Sequence, residues 1–223
     1  MPIDPTRIQA LCFDVDGTLS DTDDLYAEKL ARLLKPFQFI HPKLDPALLT
    51  RRIIMAVEAP GNFLIGLPDR IGWDDEIYAL IDKLARHSHP RIREHRVIAG
   101  VPEMLADLHR HYPLAVVSAR DERTTRTFLD EAGLTSFFEW IATAQTCEHT
   151  KPYPDPIYWA AQRMGVSPAN CLMIGDTSID IRAGKAAGAQ TIGVLCGFGE
   201  EPELRRWGAD EILEATPILA DIL

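Results

Sequence analysis

The chain has 223 residues, of which 46% are hydrophobic and 25% are charged, so it can bury a sizeable core and has an ordinary globular composition. A formal net charge of −10 argues against nucleic acid as a partner, because non-specific affinity there comes from Lys and Arg that neutralise phosphates. No apolar run approaches the ~20 residues that span a bilayer, and the amino end lacks the features of a signal peptide, so we expect a cytoplasmic protein without membrane contact.

The first predicted element is a buried parallel strand over 8–15, which is almost continuously apolar. It ends in two carboxylates, Asp14 and Asp16, followed by Gly17. Side chains of a strand alternate between its faces, so both carboxylates point the same way. Two close carboxylates repel one another unless a cation or a shared proton compensates, and a hard divalent cation suits oxygen ligands. The sequence therefore predicts a cation site after the first strand.

A helical insertion follows the first strand. Leucines and other apolar residues recur at helical spacing over 23–37, 45–58 and 74–87, and no strand pattern interrupts them. We predict a main domain formed by 1–19 and 97–223, with a helical cap over 20–96 inserted between its first and second strands.

From Val97 onward, predicted helices and strands alternate. The helices are predicted at 101–111, 122–132, 154–164, 179–187 and 202–207, with another at the carboxyl end; the strands are predicted at 114–118, 140–143, 171–175, 191–195 and 211–213. Such alternation indicates parallel strands joined by crossover helices. The predicted fold class is α/β, a doubly wound parallel sheet of Rossmann-like type carrying the inserted helical cap.

Polar residues follow four of the predicted apolar segments. They are the Asp14 and Asp16 pair, Ser118, the loop that contains Lys151, and Asp176. Any one of them alone is more often a turn or a helix cap. Four in succession, separated by helices, indicate a site at the sheet edge where parallel strands end.

These motifs resemble those of a known enzyme family. The segments Asp14-Val-Asp-Gly-Thr-Leu, Ser118, Lys151-Pro and Gly175-Asp-Thr-Ser-Ile-Asp180 are similar to the four signatures of the haloacid dehalogenase superfamily. The stretch around Lys151 and Asp176 most resembles the phosphoglycolate phosphatase and β-phosphoglucomutase branch, whose helical cap also follows the first strand. The resemblance covers the predicted core and does not extend to the cap.

The resemblance implies a role for each matched residue. Asp14 would attack phosphorus and form an aspartyl-phosphate, and Asp16 would be the acid and base that serves the leaving group and the attacking water. Asp176 would bind Mg²⁺ together with Asp14 and the carbonyl of Asp16, and Asp180 would act from the second layer. The implied phosphate-binding residues are Gly17, Ser118, Ala119 and Lys151.

The substrate is less defined than the reaction. We expect a magnesium-dependent phosphatase that acts on a small phosphorylated metabolite, with 2-phosphoglycolate as the first candidate, in a monomer or homodimer. A mutase of the β-phosphoglucomutase type remains open, since Ser118-Ala119 also resembles the mutase pattern. A noncatalytic binding module on the same scaffold is the alternative from another class. Asp16 argues against a dehalogenase, because halide departure needs no general acid.

Three further sets of residues lie outside these motifs. Arg120 is predicted to be a solvated surface charge that could reach substrate. The four cysteines, which include no Cys-x-x-Cys pair, are predicted to be buried free thiols and to form neither a zinc nor a redox site. The polar cap residues that could meet the substrate are Arg51, Arg52, Asn62 and Arg70.

Overall fold

The computed structural model describes residues 3–21 and 97–223. All of them belong to one compact unit, which spans 1–23 and 95–223. The predicted cap helices and the four polar cap residues lie outside the described residues. The predicted domain boundaries therefore stay a prediction, and the paragraphs below concern the described unit.

The described core is a six-stranded sheet in which every strand pair is parallel. Its strands, in chain order, are β1 (Ala10–Phe13), β2 (Leu114–Val117), β3 (Trp140–Ala142), β4 (Cys171–Gly175), β5 (Gln190–Val194) and β6 (Glu211–Leu213). Their order across the sheet is β3-β2-β1-β4-β5-β6. The predicted doubly wound parallel sheet is confirmed.

Helices connect the strands from β1 onward along the described chain. They are α1 (Val101–Leu108), α2 (Glu122–Glu131), α3 (Asp155–Met164), α4 (Ser178–Ala187) and α5 (Glu201–Arg206). The predicted terminal helix is instead a 3-10 helix of six residues, Thr216–Asp221, with Pro217 in its first turn. Short 3-10 turns also occur at Pro5–Arg7, Thr135–Phe137 and Pro168–Asn170.

Two apolar layers cover the two faces of the sheet. Along β1, Leu11 and Phe13 belong to one layer, whereas Ala10 and Cys12 belong to the other, as the two-residue alternation of a strand requires. The first layer holds the larger side chains, among them Phe128 of α2, and the second is rich in alanine from α3 and α4. A sheet covered on both faces leaves its strand ends as the open positions for a site.

The strand order reverses between β1 and β4. From β1, the chain adds β2 and β3 on one side and then β4, β5 and β6 on the other. In doubly wound sheets, ligands bind outside the carboxyl ends of the strands at such a reversal point. The sheet topology therefore directs attention to the residues that follow Phe13 and Gly175.

The remaining expectations about the core are partly met. All four cysteines are free thiols, but only Cys12 and Cys171 are buried, whereas Cys147 and Cys196 are half-buried in loops.

Among the described residues, none of the helices has the length and apolar composition needed to cross a membrane.

Candidate active site

Two aspartates follow the adjacent strands at the reversal point. Asp14 comes directly after β1, and its backbone N–H donates to the carbonyl of Ile174 in β4 at 2.9 Å. Asp176 follows the last residue of β4. Their relative exposures are only 7% and 2%. The sheet therefore delivers both carboxylates, as predicted, to one water-poor region.

Lys151 supplies positive charge to this region. Its Nζ donates to Asp14 Oδ1 and to Asp180 Oδ1, at 2.6 Å in each case, and the lysine is 3% exposed. Burial opposes the charged form of Lys151, but the ion pairs with the two carboxylates outweigh it and hold the pKa of Lys151 above its ordinary value. Lys151 is therefore a fixed cation, held between carboxylates that follow β1 and begin α4.

The Asp14 carboxyl has a shifted pKa. Burial is the largest cause and raises the pKa from 3.8 to about 7, assisted by the neighbouring charges of Asp180 and Asp16 and opposed by Lys151. A buried carboxylate in this position is an anion that the protein compensates only in part. An additional cation would therefore stabilise the ionised form of Asp14.

Asp180 lies in the first turn of α4 and is fully buried. Its Oδ2 accepts the backbone N–H of Thr177 at 3.0 Å and the Thr177 hydroxyl at 2.7 Å, while its Oδ1 accepts from Lys151. A side chain at Gly175 would collide with Asp180, so the glycine allows this close approach. Asp180 both stabilises the helix N-terminus and orients Lys151.

Asp176 is held by a loop that was not among the predicted site segments. This loop follows β5, and the backbone N–H of Phe198 donates to Asp176 Oδ2 at 2.8 Å. A Cβ at Gly197 would lie 2.7 Å from the Cβ of Asp176, and a Cβ at Gly199 would collide with the Asp176 carbonyl. The sequence feature that could have identified this loop is its Gly-Phe-Gly segment. That segment follows an apolar strand that ends at the same sheet edge as the strands before Asp14 and Asp176.

The carboxylates could hold a divalent cation. One oxygen from each of Asp14, Asp176 and Asp180 lies within 4.8 Å of the others, and all three residues are buried. Both oxygens of Asp180 accept hydrogen bonds within the protein, from Lys151 and from Thr177, which suits the second-layer role that the resemblance implies for it. An all-oxygen set with few carboxylates suits Mg²⁺, which keeps several waters. The residues present therefore fit the expected metal.

Asp16 and Gly17 lie in a tight turn after β1. The N–H groups of Leu19 and Ser20 both donate to the carbonyl of Val15, at 2.9 and 2.8 Å. Gly17 has a φ of 66°, a left-handed conformation that favours glycine. This turn explains why β1 stops at Phe13 rather than continuing to Val15, as the apolar pattern predicted. The turn leaves the Asp16 side chain 39% exposed.

Arg120 is bound to the Asp16 carboxylate. Its Nε donates to Asp16 Oδ2 at 2.5 Å, and its Nη2 pairs with Asp16 Oδ1. The Arg120 side chain is only 11% exposed and its guanidinium carbon lies 5.6 Å from the ring centre of Phe128. The prediction of a solvated surface charge was wrong, because the strand end directs this side chain across the site rather than outward.

Ser118 directly follows β2 and is 2% exposed. Its backbone N–H donates to the carbonyl of Ala142 at 2.9 Å, and its hydroxyl oxygen accepts the backbone N–H of Arg120 at 3.2 Å. Ala119 is exposed beside it. The two residues lie at the same sheet edge as Asp14, where the prediction put them.

Several known proteins are similar to this chain over nearly its whole length. A pyrophosphatase, PpaX, from Anoxybacillus flavithermus is 29% identical over 220 residues, which cover 97% of each chain. An N-acetylmuramic acid 6-phosphate phosphatase from Pseudomonas aeruginosa is 26% identical over 226 residues, covering 97% of this chain and 95% of its own. A solved structure of a predicted phosphoglycolate phosphatase from Haemophilus somnus has a TM-score of 0.64 at 20% identity, covering 97% of this chain and 98% of the other.

The family itself follows from a match over most of the chain. The sequence profile described as haloacid dehalogenase-like hydrolase matches residues 11–194, which include most of β1, the Lys151 loop and the Asp176 motif. The predicted resemblance is thereby confirmed. The chain belongs to the haloacid dehalogenase-like hydrolases.

Proposed function

We propose that this hydrolase is a magnesium-dependent phosphatase, which hydrolyses a small phosphorylated metabolite through a phosphoryl group carried on Asp14. The observation that carries the proposal is the buried ion pair between Asp14 and Lys151, 2.6 Å long, at the reversal point of the sheet. A carboxylate nucleophile must approach an anionic phosphate, so its own charge has to be compensated. Lys151 provides part of that compensation, and a cation held by Asp14 and Asp176 would provide the rest.

The proposed first step transfers the phosphoryl group to the protein. A carboxylate oxygen of Asp14 bonds to phosphorus as the bond to the leaving oxygen breaks, and Asp16 gives that oxygen a proton. The Ser118 hydroxyl can direct its own proton at a phosphoryl oxygen, because its lone pairs accept the Arg120 N–H. Bound Mg²⁺ would screen the charges of nucleophile and phosphate.

The proposed second step releases inorganic phosphate. A water molecule attacks phosphorus of the aspartyl-phosphate, Asp16 takes its proton, and the carboxylate of Asp14 is regenerated. Lys151 keeps its contacts with Asp14 and Asp180 in the resting protein, so the site returns to the arrangement described here. The same aspartate pair therefore serves both halves of the reaction.

Two substrates are candidates. The motif resemblance favours 2-phosphoglycolate, and the name of the PpaX relative favours inorganic pyrophosphate. A mutase would also form an aspartyl-phosphate but would return the phosphoryl group to a second sugar hydroxyl. Incubation with β-glucose 1-phosphate separates these activities, since a mutase yields an isomer and little free phosphate.

We further propose that the protein acts in the cytoplasm as a monomer or homodimer, without nucleic acid.

The test is phosphate release by wild type and an Asp14→Asn variant. With Mg²⁺, wild type should release phosphate from p-nitrophenyl phosphate, and chelator should abolish the release. Asp14→Asn should lower kcat by at least about 10⁴-fold, since removing a nucleophile removes the covalent route. Asp107→Asn, in an exposed ion pair with Arg110, is the matched control and should behave as wild type. Substantial activity of folded Asp14→Asn would refute the nucleophile assignment.

A further inference from the structure

Arg120 and Asp16 form a second ion pair at the site. Two guanidinium nitrogens face the two oxygens of one carboxylate, a fork that matches carboxylate and phosphate groups equally well. The arginine is anchored at both ends, because its backbone N–H donates to Ser118 Oγ and its guanidinium lies over the buried Phe128 ring. Arg120 is therefore a positioned anion-binding group.

The location of this group is defined by Asp16. In the proposed function, Asp16 protonates the leaving oxygen, so the leaving group of the substrate lies beside Asp16. A protein group next to Asp16 therefore contacts the leaving group rather than the transferred phosphoryl group. Lys151 contacts Asp14 and Asp180 and supplies charge on the nucleophile side. Arg120 supplies a separate positive charge on the leaving-group side of the site.

In this structure the anion paired with Arg120 is the carboxylate of Asp16, the proposed acid and base. Both Asp16 oxygens contact the guanidinium, whereas the acid and base role requires one of them to reach the leaving oxygen. The Asp16 side chain is 39% exposed while that of Arg120 is 11% exposed, so the carboxylate is the accessible member of the pair. An anion arriving with the substrate can exchange with it at the guanidinium.

We propose that Arg120 binds a second anionic group, carried by the leaving group of the substrate, and that this exchange releases Asp16 for its acid and base role. The substrate class is a small phosphate compound whose leaving group has a carboxylate or phosphate of its own. This inference rests on the proposed function and adds the charge of the leaving group to it. Both candidate substrates, 2-phosphoglycolate and pyrophosphate, belong to this class.

Three probes of similar size test the inference. In 2-phosphoglycolate the leaving group carries a carboxylate, in pyrophosphate it is itself a phosphate, and in 2-hydroxyethyl phosphate a neutral hydroxymethyl group replaces the carboxylate. Wild type with Mg²⁺ should give at least about tenfold higher kcat/KM for one anionic probe than for the neutral probe, as a charge-assisted bidentate contact warrants. The better anionic probe identifies which anion the site accepts.

The decisive variant is Arg120→Gln. It should bring the ratio of kcat/KM between the preferred anionic probe and the neutral probe close to one, chiefly by raising KM for the anionic probe. Arg120→Lys should retain part of the ratio, because lysine keeps the charge and loses the fork. Arg126→Gln, in the exposed pair with Glu122 on α2, should keep the wild-type ratio. If Arg120→Gln is unfolded at the assay temperature, the Arg120→Lys ratio decides.

The outcomes separate this inference from the proposed function. Failure of wild type to release phosphate from any of the three probes and from p-nitrophenyl phosphate would contradict the proposed function, and the inference with it. Phosphate release without preference for an anionic leaving group would overturn the inference alone. So would a wild-type ratio that persists in both Arg120 variants.

Discussion

The same chemical contact occurs in two very different places in this protein. Lys151 pairs with Asp14 and Asp180 in a cluster whose side chains are 0 to 9% exposed. On the outer surface of α2, Arg126 pairs with Glu122 at 2.9 Å, but these side chains are 53% and 58% exposed. The distances differ by only 0.3 Å, from 2.6 Å to 2.9 Å. The environment of the pair, rather than its length, distinguishes a site from a surface contact.

The difference teaches what burial does to charge. Water and salt screen the surface pair, and such pairs contribute about 0 to 1 kcal/mol to stability. In the cluster, burial raises the pKa of Asp14 to about 7 in spite of the adjacent lysine. A buried cluster with surplus negative charge is costly to maintain unless it binds something. That cost is consistent with a function, and it can be measured.

The largest expected effect comes from removing the buried cation. Lys151→Met leaves two buried carboxylates without their shared partner, which should destabilise the protein by about 3 to 5 kcal/mol and reduce kcat by more than about 10³-fold. Arg126→Gln removes a cation from the surface pair and should change the free energy of unfolding by less than about 0.5 kcal/mol. Urea unfolding and phosphate release measure both. Equal effects of the two substitutions would contradict the comparison.

A smaller effect should follow from crowding the metal-binding side of the cluster. In Gly197→Ala the new Cβ collides with the Asp176 carboxylate, whereas in Gly184→Ala it collides with Thr191 between α4 and β5. Each should cost about 1 to 3 kcal/mol of stability. Only Gly197→Ala should raise the Mg²⁺ concentration for half-maximal activity, by about 10 to 100-fold. An unchanged Mg²⁺ requirement in Gly197→Ala would contradict the assignment of Asp176 as a metal ligand.

The smallest expected effect is a pH dependence of stability without metal. Because the folded pKa of Asp14 lies near 7 and its ordinary value is 3.8, the folded protein keeps this proton to higher pH than the unfolded chain. Unfolding then releases a proton between these values, so the free energy of unfolding falls as pH rises from about 4 to about 7.

Asp14→Asn isolates that contribution. Between about pH 4 and about pH 7, the stability of wild type relative to Asp14→Asn should fall by on the order of 1 kcal/mol or more in chelator. Added Mg²⁺ should reduce the fall, because a bound cation stabilises ionised Asp14. A difference between the two proteins that does not vary with pH would show that burial does not raise the pKa of Asp14.

The sequence predicted the sheet well because most of its strands are apolar runs bounded by polar residues. Each of the six strands lies within one residue of a predicted strand, and the polar residues that directly follow β1, β2 and β4 lie at the predicted edge. The exact end of β1 was not predictable from apolarity, since Val15 is apolar and buried yet lies in the turn that Gly17 permits. The apolar pattern at the carboxyl end likewise predicted a helix but not that it would be of the 3-10 type.

The contacts of individual polar side chains were less predictable. Arg120 is one of several charges near a strand end, and only the three-dimensional position of Asp16 pairs it with that carboxylate. The Phe198 N–H reaches Asp176 from 22 residues away in sequence, a contact that a backbone group makes without any side-chain signature. The residues expected to select the substrate in the cap lie outside the described part of the chain.

The most direct test of the central claim is to trap the phosphoryl group on Asp14. Wild type in excess over a substrate labelled in its phosphoryl group is mixed with Mg²⁺, quenched in acid within one turnover and digested. We predict that the label is found on the peptide containing Asp14 and is absent from the Asp14→Asn variant. Label found only in unreacted substrate and free phosphate at all times, while wild type turns over, would contradict the account.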